Sequence, residues 1–564
     1  MYRKSNKSSA TTLFYGTQSL LKGKSLKIYE DEQNWHNLFR KHVTERIDED
    51  IFSVLYCSDF GAPNAPVRVL VSMMILKEAQ GWSDSQLFEA CLFNLLVRSA
   101  LGLCNIDDLI PACSTYYLFR KNIVDWENKG NENLLEKVFA QVTKSQFLEF
   151  KINGNKIRMD SKLLGSNIAW YSRYELIHET VRKVYDKFPD LVDSVVSEAD
   201  IVLLKRISGE SGDKVCYRSN STEIESKLTE LGIVIHKIIS QINDNSSKSF
   251  QTLRRVFNEQ YQLVDDEVST RSKHEISATS VQSPHDTDCH YRNKDGNQVK
   301  GYSINITETC NSENAINLIT DVIVEAVSAA DCEFLQSAIE STQEVVCTEI
   351  ETVNADGAYH SVANQDYCKE NDIDLVVSAI QGKPSRYDLA TDQNNDLVVT
   401  DLANNTNVPV RKVESRKENA EPKWAIQTSD NKHRYFTQKD IDTCLLRKRI
   451  ASRSLEELNL RNNVEASIFQ LGYHYSNDKS RYRGIIKHKM WANVRCMWVN
   501  FVRISKFIRL SGPNYAQMLK KQAILVKFML KYVKSGCCLA PVRNFLPRWG
   551  ENRDWEQFLK KDFL

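Results

Sequence analysis

Three acidic residues stand in contexts suited to metal-assisted phosphate chemistry. Asp160 ends the strand-like segment Lys156-Ile157-Arg158-Met159, and Asp356 sits where Thr352-Val353-Asn354-Ala355 meets Gly357. Glu465 lies on a helical stretch, Arg461-Asn462-Asn463-Val464-Glu465-Ala466-Ser467-Ile468-Phe469. A strand end fixes a carboxylate in place, and an adjacent glycine lets backbone or ligand approach closely. Three carboxylates brought together repel unless a cation neutralises them, and hard oxygen ligands with open positions suit Mg²⁺ or Mn²⁺. Two such ions roughly 3.5–4 Å apart activate a nucleophile and stabilise the leaving oxygen in phosphoryl transfer, with no nucleophilic side chain. The chain carries 73 Asp and Glu, and no spacing rule selects these three, so each taken singly reads as solvated surface.

The elements that would position them alternate in character along the chain. Residues 1–60 read as an N-terminal arm with Trp35, Phe39 and Phe52 as anchors. From Pro66 the pattern turns helical: Val67, Leu70, Val71, Met74 and Ile75 recur at i, i+3, i+4 spacing until Gly81-Trp82-Ser83-Asp84 breaks the run. Ser83 or Asp84 can cap a second helix carrying Leu87, Cys91, Leu92, Leu95 and Leu96, and a third begins near Ser114-Thr115 and carries Arg120-Lys121. The arrangement over 61–145 is compatible with a helix-turn-helix reader of DNA, although pattern alone favours an ordinary helical bundle. A helical stretch to about Glu267 contains the seam Ile224, Leu228, Leu231, Ile235, Ile238 and Ile242, which reads as an antiparallel hairpin and leaves dimerisation open. Strands are expected at Asp288–Arg292, Gln298–Thr307 and Ile373–Ile380, and a helix across Ile316, Ile319, Val322 and Ile323. The polar span from Gln381 to Ile441 reads as an inserted β-rich subdomain, followed by long helices. The class is α/β in its catalytic part and α+β overall.

The net charge of +1 conceals a polarised chain. Residues 265–405 hold 26 acidic and 8 basic groups, whereas residues 443–564 hold 24 basic and 8 acidic. From Lys479 to Gly550 there are 16 Lys or Arg and no Asp or Glu, with Trp491, Trp498, Phe501, Phe507, Tyr515 and Tyr532 interleaved. Cationic helical faces beside aromatic anchors favour a polyanion, DNA ahead of a membrane surface. No apolar stretch of signal-peptide length follows Met1, and no run approaches the ~18–20 residues that span a bilayer. The 14 cysteines are scattered, and Cys537-Cys538 are adjacent rather than spaced as a zinc or redox pair, so reduced thiols in a cytosol and no structural metal are expected.

The chain resembles the DDE-type transposases of bacterial insertion sequences, in the branch with an InsH-like helical N-terminal domain. The resemblance rests on Ile157-Arg158-Met159-Asp160-Ser161, on Val353-Asn354-Ala355-Asp356-Gly357-Ala358-Tyr359-His360-Ser361, and on Arg461-Asn462-Asn463-Val464-Glu465 followed by Arg481-Tyr482-Arg483-Gly484. It extends to the strand pair from Ser283-Pro284 through Gly301-Tyr302-Ser303-Ile304, and in the N-terminal part from about Pro66 to Arg120. It implies an RNase H-like catalytic domain over 146–510, interrupted by a helical insertion at 168–280 and the β-rich one at 381–441, with a basic helical tail at 511–564. Asp160, Asp356 and Glu465 would be the catalytic residues and the ligands of Mg²⁺ or Mn²⁺, as two ions. Arg461, Arg481, Arg483, Lys487, Lys489 and Arg495 would contact DNA. The implied reaction is cleavage at transposon ends and strand transfer into target DNA, by a homodimer or higher oligomer on double-stranded DNA in a bacterial cytoplasm, at the nucleoid. The sequence departs from the family pattern Tyr-x2-Arg-x3-Glu-x6-Lys, since Leu458 stands at the Tyr position and Gly472 at the Lys position; Lys162 follows the first acid where Thr is frequent. A catalytically silent DNA-binding relative and a helical scaffold protein are the competing readings.

Overall fold

The apolar spacing that begins at Val67 becomes a helix enclosed on nearly every side. In the computed structural model, described for residues 1–5 and 16–511 except 245, 295, 381, 383–384, 393–395, 414–422 and 429–431, the described residues up to Ile504 form one compact unit. The basic tail expected from 511 to 564 lies outside the described residues apart from Ser511. The first layer comprises α1 (Gly23–Glu30), α2 (Trp35–His42), α3 (Val67–Gln80), α4 (Asp84–Phe93), α5 (Leu95–Ala100), α6 (Cys113–Asn128) and α7 (Leu134–Phe150). Ser83 caps α4, accepting from the Gln86 amide while the Gln86 side chain accepts from the Ser83 amide. All of α3 but Gln80 is buried, Arg68, Lys77 and Glu78 included, so α3 is the core of a bundle rather than one arm of an exposed reader. Beyond residue 30 the stretch expected as an arm packs into this layer through its expected anchors Trp35, Phe39 and Phe52, all buried. Phe52 packs on Phe119 at 5.3 Å between ring centroids, and Phe39 meets Phe501 at 5.1 Å, because these rings have apolar partners waiting in the bundle.

Behind this layer lies a mixed sheet. Strand β1 (Lys156–Gly165) leads into α8 (Arg173–Tyr185), α9 (Pro189–Asp193), α10 (Glu198–Gly209), α11 (Gly212–Arg218), α12 (Ser221–Gln241) and α13 (Lys248–Gln260), closed by the hairpin β2 (Tyr261–Val264) and β3 (Glu267–Thr270). The chain returns through β4 (His290–Lys294), β5 (Asn297–Thr309), β6 (Ile319–Ala326), α14 (Leu335–Val346), β7 (Thr352–Ala355), α15 (Val362–Glu370) and β8 (Asp374–Val377). The sheet order is β4-β5-β1-β7-β8, with β6 also pairing β5. β5 runs antiparallel to β1, β4 and β6, whereas β1–β7 and β7–β8 are parallel. β6 corrects the helix expected across Ile316–Ile323. Its run Ile319-Thr320-Asp321-Val322-Ile323-Val324 is β-branched almost throughout, and that stiffness favours a pleated strand over the helical spacing. Gly301 of β5 passes so close to β1 that a Cβ there would lie 2.0 Å from the Leu164 carbonyl oxygen.

The two insertions have cores of their own. In the helical one, Ile177, Leu204, Leu231, Ile235, Ile238, Phe250 and Leu253 pack together, so the seam of α12 is filled by α8, α13 and the β2–β3 hairpin. The β-rich one contains the three-stranded sheets β9 (Tyr387–Thr391), β10 (Leu397–Asp401) and β11 (Thr406–Val408), and β12 (Val410–Val413), β13 (Lys423–Gln427) and β14 (His433–Thr437). Tyr387, Leu389, Val399, Ile426 and Phe436 share a core with Ile441 of α16 (Gln438–Ser452). Next come α17 (Leu455–Asn459), α18 (Asn463–Leu471) and α19 (Ile485–Ser511).

One buried carboxylate ties these elements together. Glu308 of β5 is fully enclosed, accepting from Arg158 Nε of β1 (2.6 Å), Ser467 Oγ of α18 (2.6 Å) and an Arg503 terminal nitrogen of α19 (2.6 Å). Arg158 also donates to the Leu460 carbonyl at 3.0 Å, which fixes the approach to α18. Burial alone would raise the Glu308 carboxyl, but Arg503 and Arg158 hold it below its ordinary pKa. Removing one partner of such a buried set strands the opposite charge, so Glu308→Ala is expected to lose about 3–5 kcal/mol of unfolding free energy, read by urea denaturation. Asp321 behaves in the opposite way. Burial pushes its carboxyl up to about 7, with Ser341 donating to Oδ1 and Oδ2 enclosed without a partner. A carboxyl raised in the fold contributes stability at acid pH that is lost as pH rises through the folded pKa. Stability is therefore expected to fall between about pH 4 and 7 on this account, and Asp321→Asn to flatten that dependence in pH-resolved melting.

Candidate active site

Strand β1 delivers the first acid. Ile157 and Met159 are buried completely, Arg158 is tied to Glu308, and the Asp160 side chain keeps 14% exposure at the strand's middle. The second acid follows from register. β7 lies parallel to β1 with Arg158 opposite Asn354, and continuing both chains by two residues brings Asp356 alongside Asp160. Asp356 caps the 3-10 turn Gly357–Tyr359, its Oδ1 accepting from the Ala358 amide at 3.3 Å. Gly357 is required because a Cβ there would lie 1.9 Å from the Ala379 carbonyl oxygen; the close approach suggested by the sequence is made by backbone beyond β8. Glu465 projects from the first turn of α18, which crosses β1 and is pinned by Ser467 to Glu308.

The three carboxylates meet around a single guanidinium nitrogen. One terminal nitrogen of Arg461 lies 3.0 Å from Asp160 Oδ2, 3.5 Å from Asp356 Oδ2 and 3.9 Å from Glu465 Oε1. Exposure rises across the set, from 14% at Asp160 to 43% at Asp356 and 64% at Glu465. Burial lifts the Asp160 carboxyl above the usual carboxylate range, although Arg461 opposes the shift. Burial likewise penalises the Arg461 charge, but the carboxylates more than offset it and raise its pKa. Arg461 Nε is nevertheless a buried donor without a hydrogen-bond partner, so the side chain is not fully satisfied where it sits. Among the described residues no three His, Cys, Asp or Glu side chains are set to hold a metal ion as they stand. The donor chemistry of the three acids fits a hard divalent cation, and the guanidinium stands at their centre.

The residues expected to contact DNA divide sharply. Arg461 belongs to the carboxylate cluster and is not an outward-facing cation. Arg495 is corrected outright: it is 3% exposed, and its guanidinium donates to the carbonyls of Leu471 (3.0 Å), Glu78 (2.9 Å) and Gln470, since α19 needs those carbonyls satisfied where it crosses the bundle. Lys489 is half-buried, with Glu127 at 3.9 Å. Arg481, Arg483 and Lys487 are exposed, although Arg481 also donates to the Gly81 (2.7 Å) and Trp82 (3.1 Å) carbonyls and Arg483 Nε to the Asn167 carbonyl (2.6 Å). At Gly472 the missing side chain has a spatial counterpart. Lys162 Nζ lies 3.3 Å from where a Cβ on Gly472 would stand, and pairs with Asp478 at 2.5 Å. The sequence reading missed the counterion role of Arg461, which its i, i+4 spacing to Glu465 could have signalled. It also missed Glu308, which carries no local signal.

Residues 27–122 match the family model described as Transposase domain (DUF772), spanning the helical layer from α1 to α6. That match supports a transposase family and suggests a transposase role. Neither a curated protein nor a solved structure matches the chain. Among the described residues no helix is long and apolar enough to cross a membrane.

Arg461 as counterion has a measurable consequence. Arg461→Ala leaves Asp160 and its neighbours to repel, so a stability loss of roughly 1–3 kcal/mol is expected at neutral pH in chemical denaturation, with Arg461→Lys recovering part of it.

Proposed function

We propose that this protein is a DNA transposase whose RNase H-like domain uses Asp160, Asp356 and Glu465 to cleave transposon ends and join them to target DNA. The observation that carries the reading is the meeting of these three carboxylates at one nitrogen, in a chain whose residues 27–122 match a transposase domain. The sheet supports it: β5 runs antiparallel to β4, β6 and β1, β1 continues into the parallel strands β7 and β8, and the first two acids stand on β1 and just beyond the end of the neighbouring β7. Asp160, Asp356 and Glu465 would hold Mg²⁺ or Mn²⁺, which when bound supplies Lewis acidity and an activated water.

The chain's own residues then have distinct tasks. Asp160, fixed on β1, and Asp356, fixed by its turn, would be the rigid ligands of the divalent cation that receives the scissile phosphodiester. Glu465, the most exposed, closes the set from α18. In the first step water adds to phosphorus and the P–O3′ bond breaks, freeing a 3′-hydroxyl. In the second that hydroxyl attacks a target phosphodiester and displaces its 3′-oxygen. Arg461 neutralises the three acids where they converge, and with a divalent cation held by those acids its guanidinium would be free for a phosphate oxygen. The partners are duplex terminal repeats and target DNA, bound by a dimer or higher oligomer in the cytoplasm. A catalytically silent DNA-binding relative is the second reading, favoured by the guanidinium at the centre of the carboxylates.

Incubation with Mg²⁺ and a plasmid carrying the inverted repeats that flank this reading frame separates the two. Nicking at the repeat ends is expected, falling by on the order of 10³-fold or more in Asp160→Ala and Glu465→Ala. Nicking undiminished in Asp160→Ala would sink the assignment, and no nicking by the parent protein favours the silent relative.

A further inference from the structure

Beside the carboxylates lies a groove of about 770 Å³ that none of the assigned residues explains. Its walls are Ser161 and Lys162, which follow Asp160 directly on β1, the β4–β5 hairpin, Trp170, and the loop around Asp478 and Lys479. Five cations line it (Lys162, Arg292, Lys294, Lys300 and Lys479) against the two carboxylates Asp331 and Asp478. Both carboxylates are engaged: Ser161 Oγ donates to Asp331 at 2.6 Å, and Asp478 pairs with Lys162 at 2.5 Å. Lys294 is exposed, whereas Lys300 is half-buried and donates to the Tyr171 carbonyl at 3.4 Å, Arg292 to the Val327 and Ala329 carbonyls at 3.3 Å, and Lys479 to the Ile168 carbonyl at 2.8 Å. Among the described residues the groove carries a positive excess next to a cluster of acids.

Trp170 gives the groove its second character. Its indole is 53% exposed, and Lys300 Nζ stands 5.0 Å from the ring centroid. A large ring left open to solvent beside ammonium groups is a stacking platform with phosphate contacts around it. A double helix keeps its base faces covered by neighbouring bases, so an indole platform is of use only to a base that has left the stack. The groove's volume suits a few nucleotides of one strand. Gly472 contributes by having no side chain, which leaves room for the Lys162 ammonium at the edge nearest Asp160.

We propose that this groove binds an unpaired segment of the DNA strand adjoining the carboxylates, with a base stacked on Trp170 and phosphates held by Lys294 and Lys300. The proposal rests on the transposase reading only for the identity of the strand. The β4–β5 hairpin and the loop after β1 would thereby add single-strand contacts to the exposed cations Arg481, Arg483 and Lys487.

The test uses the full-length protein and fluorescein-labelled oligothymidylate, with a blunt duplex and oligouridylate as further probes, followed by fluorescence anisotropy over a range of KCl. Trp170→Ala is expected to weaken oligothymidylate binding by about 10-fold or more while changing duplex affinity less than about 2-fold, and Trp170→Phe to retain most of it. The slope of log K against log salt for oligothymidylate should shrink by roughly 0.7 for each of Lys294→Ala and Lys300→Ala. Melting curves of the variants matching the parent exclude loss of fold as the cause. Parent-like oligothymidylate affinity in Trp170→Ala overturns the groove, as does absence of oligothymidylate binding by the parent. Oligouridylate bound more than about 10-fold tighter overturns the assignment to DNA. The two readings fail separately: groove-dependent binding without nicking defeats the transposase and leaves the groove, whereas nicking with groove-independent binding does the reverse.

Discussion

The positions of the first and third candidate acids depend on the burial of Glu308. A carboxylate with no exposure is tolerable only if its charge is matched and its oxygens are occupied, and here β1, α18 and α19 each send one donor to it. The three elements are remote in sequence, and no local preference would bring them together. Arg158 sits two residues before Asp160, and Ser467 two after Glu465, so the same interaction that neutralises Glu308 sets the distance between the first and third acids. Asn500 reinforces it by exchanging two 2.8 Å hydrogen bonds with the Ile319 backbone, seating α19 on the end of β6. The cost of burying one charge is thus converted into the rigidity of a site that a loop could not supply.

The carboxylate cluster raises the opposite problem, since its acids must come close without a rigid framework for their charge. Arg461 solves it from within the helix that carries Glu465. Its reach to Asp160 and Asp356 places one positive charge where three negative ones converge. The arrangement is asymmetric. Asp160 is enclosed and loses most from remaining unpaired, and its oxygen is the nearest to the guanidinium; Glu465 is largely solvated and the most distant. An exposed third acid on a helix end can rotate with little loss, whereas the buried first acid cannot. This gradient leaves Asp160 the acid most dependent on the guanidinium, whose Nε has no hydrogen-bond partner.

Much of this was legible in the sequence where a signal was local. The capping serine at Ser83, the glycine after Asp356 and the helix bearing Glu465 each follow from a pattern of a few residues, and the structure places them so, whereas the strand expected to end at Asp160 continues to Gly165 because β5 pairs with it throughout. Where two local signals competed, the helical spacing around Ile319 misled, and β-branching decided for a strand. The seam of α12 was visible, but nothing in it distinguished a neighbouring chain from a neighbouring helix as its cover; helices of the same insertion fill it. Glu308 was not legible at all. Among 73 acidic residues its distinction is purely tertiary, arising from partners about 150, 160 and 195 positions away.

Charge counted along the chain was the least faithful guide to charge in space. The span from Lys479 holds no acidic residue as far as Gly550, yet in its described part Arg495 is enclosed among carbonyls and Arg503 is spent on Glu308. Conversely, the acidic middle supplies Arg292, Lys294 and Lys300 to the lining of the groove beside Asp160, Arg292 and Lys294 from one face of the β4–β5 hairpin and Lys300, opposite Tyr291, from the other. A helix crossing a core needs long donors to satisfy the carbonyls it meets, and arginine serves that purpose as readily as it serves phosphate. A run of cations in sequence therefore predicts a polyanion only for those side chains that packing leaves outside. In the hairpin at 290–300 that side chain is Lys294, which is exposed, whereas Arg292 and Lys300 also satisfy backbone carbonyls.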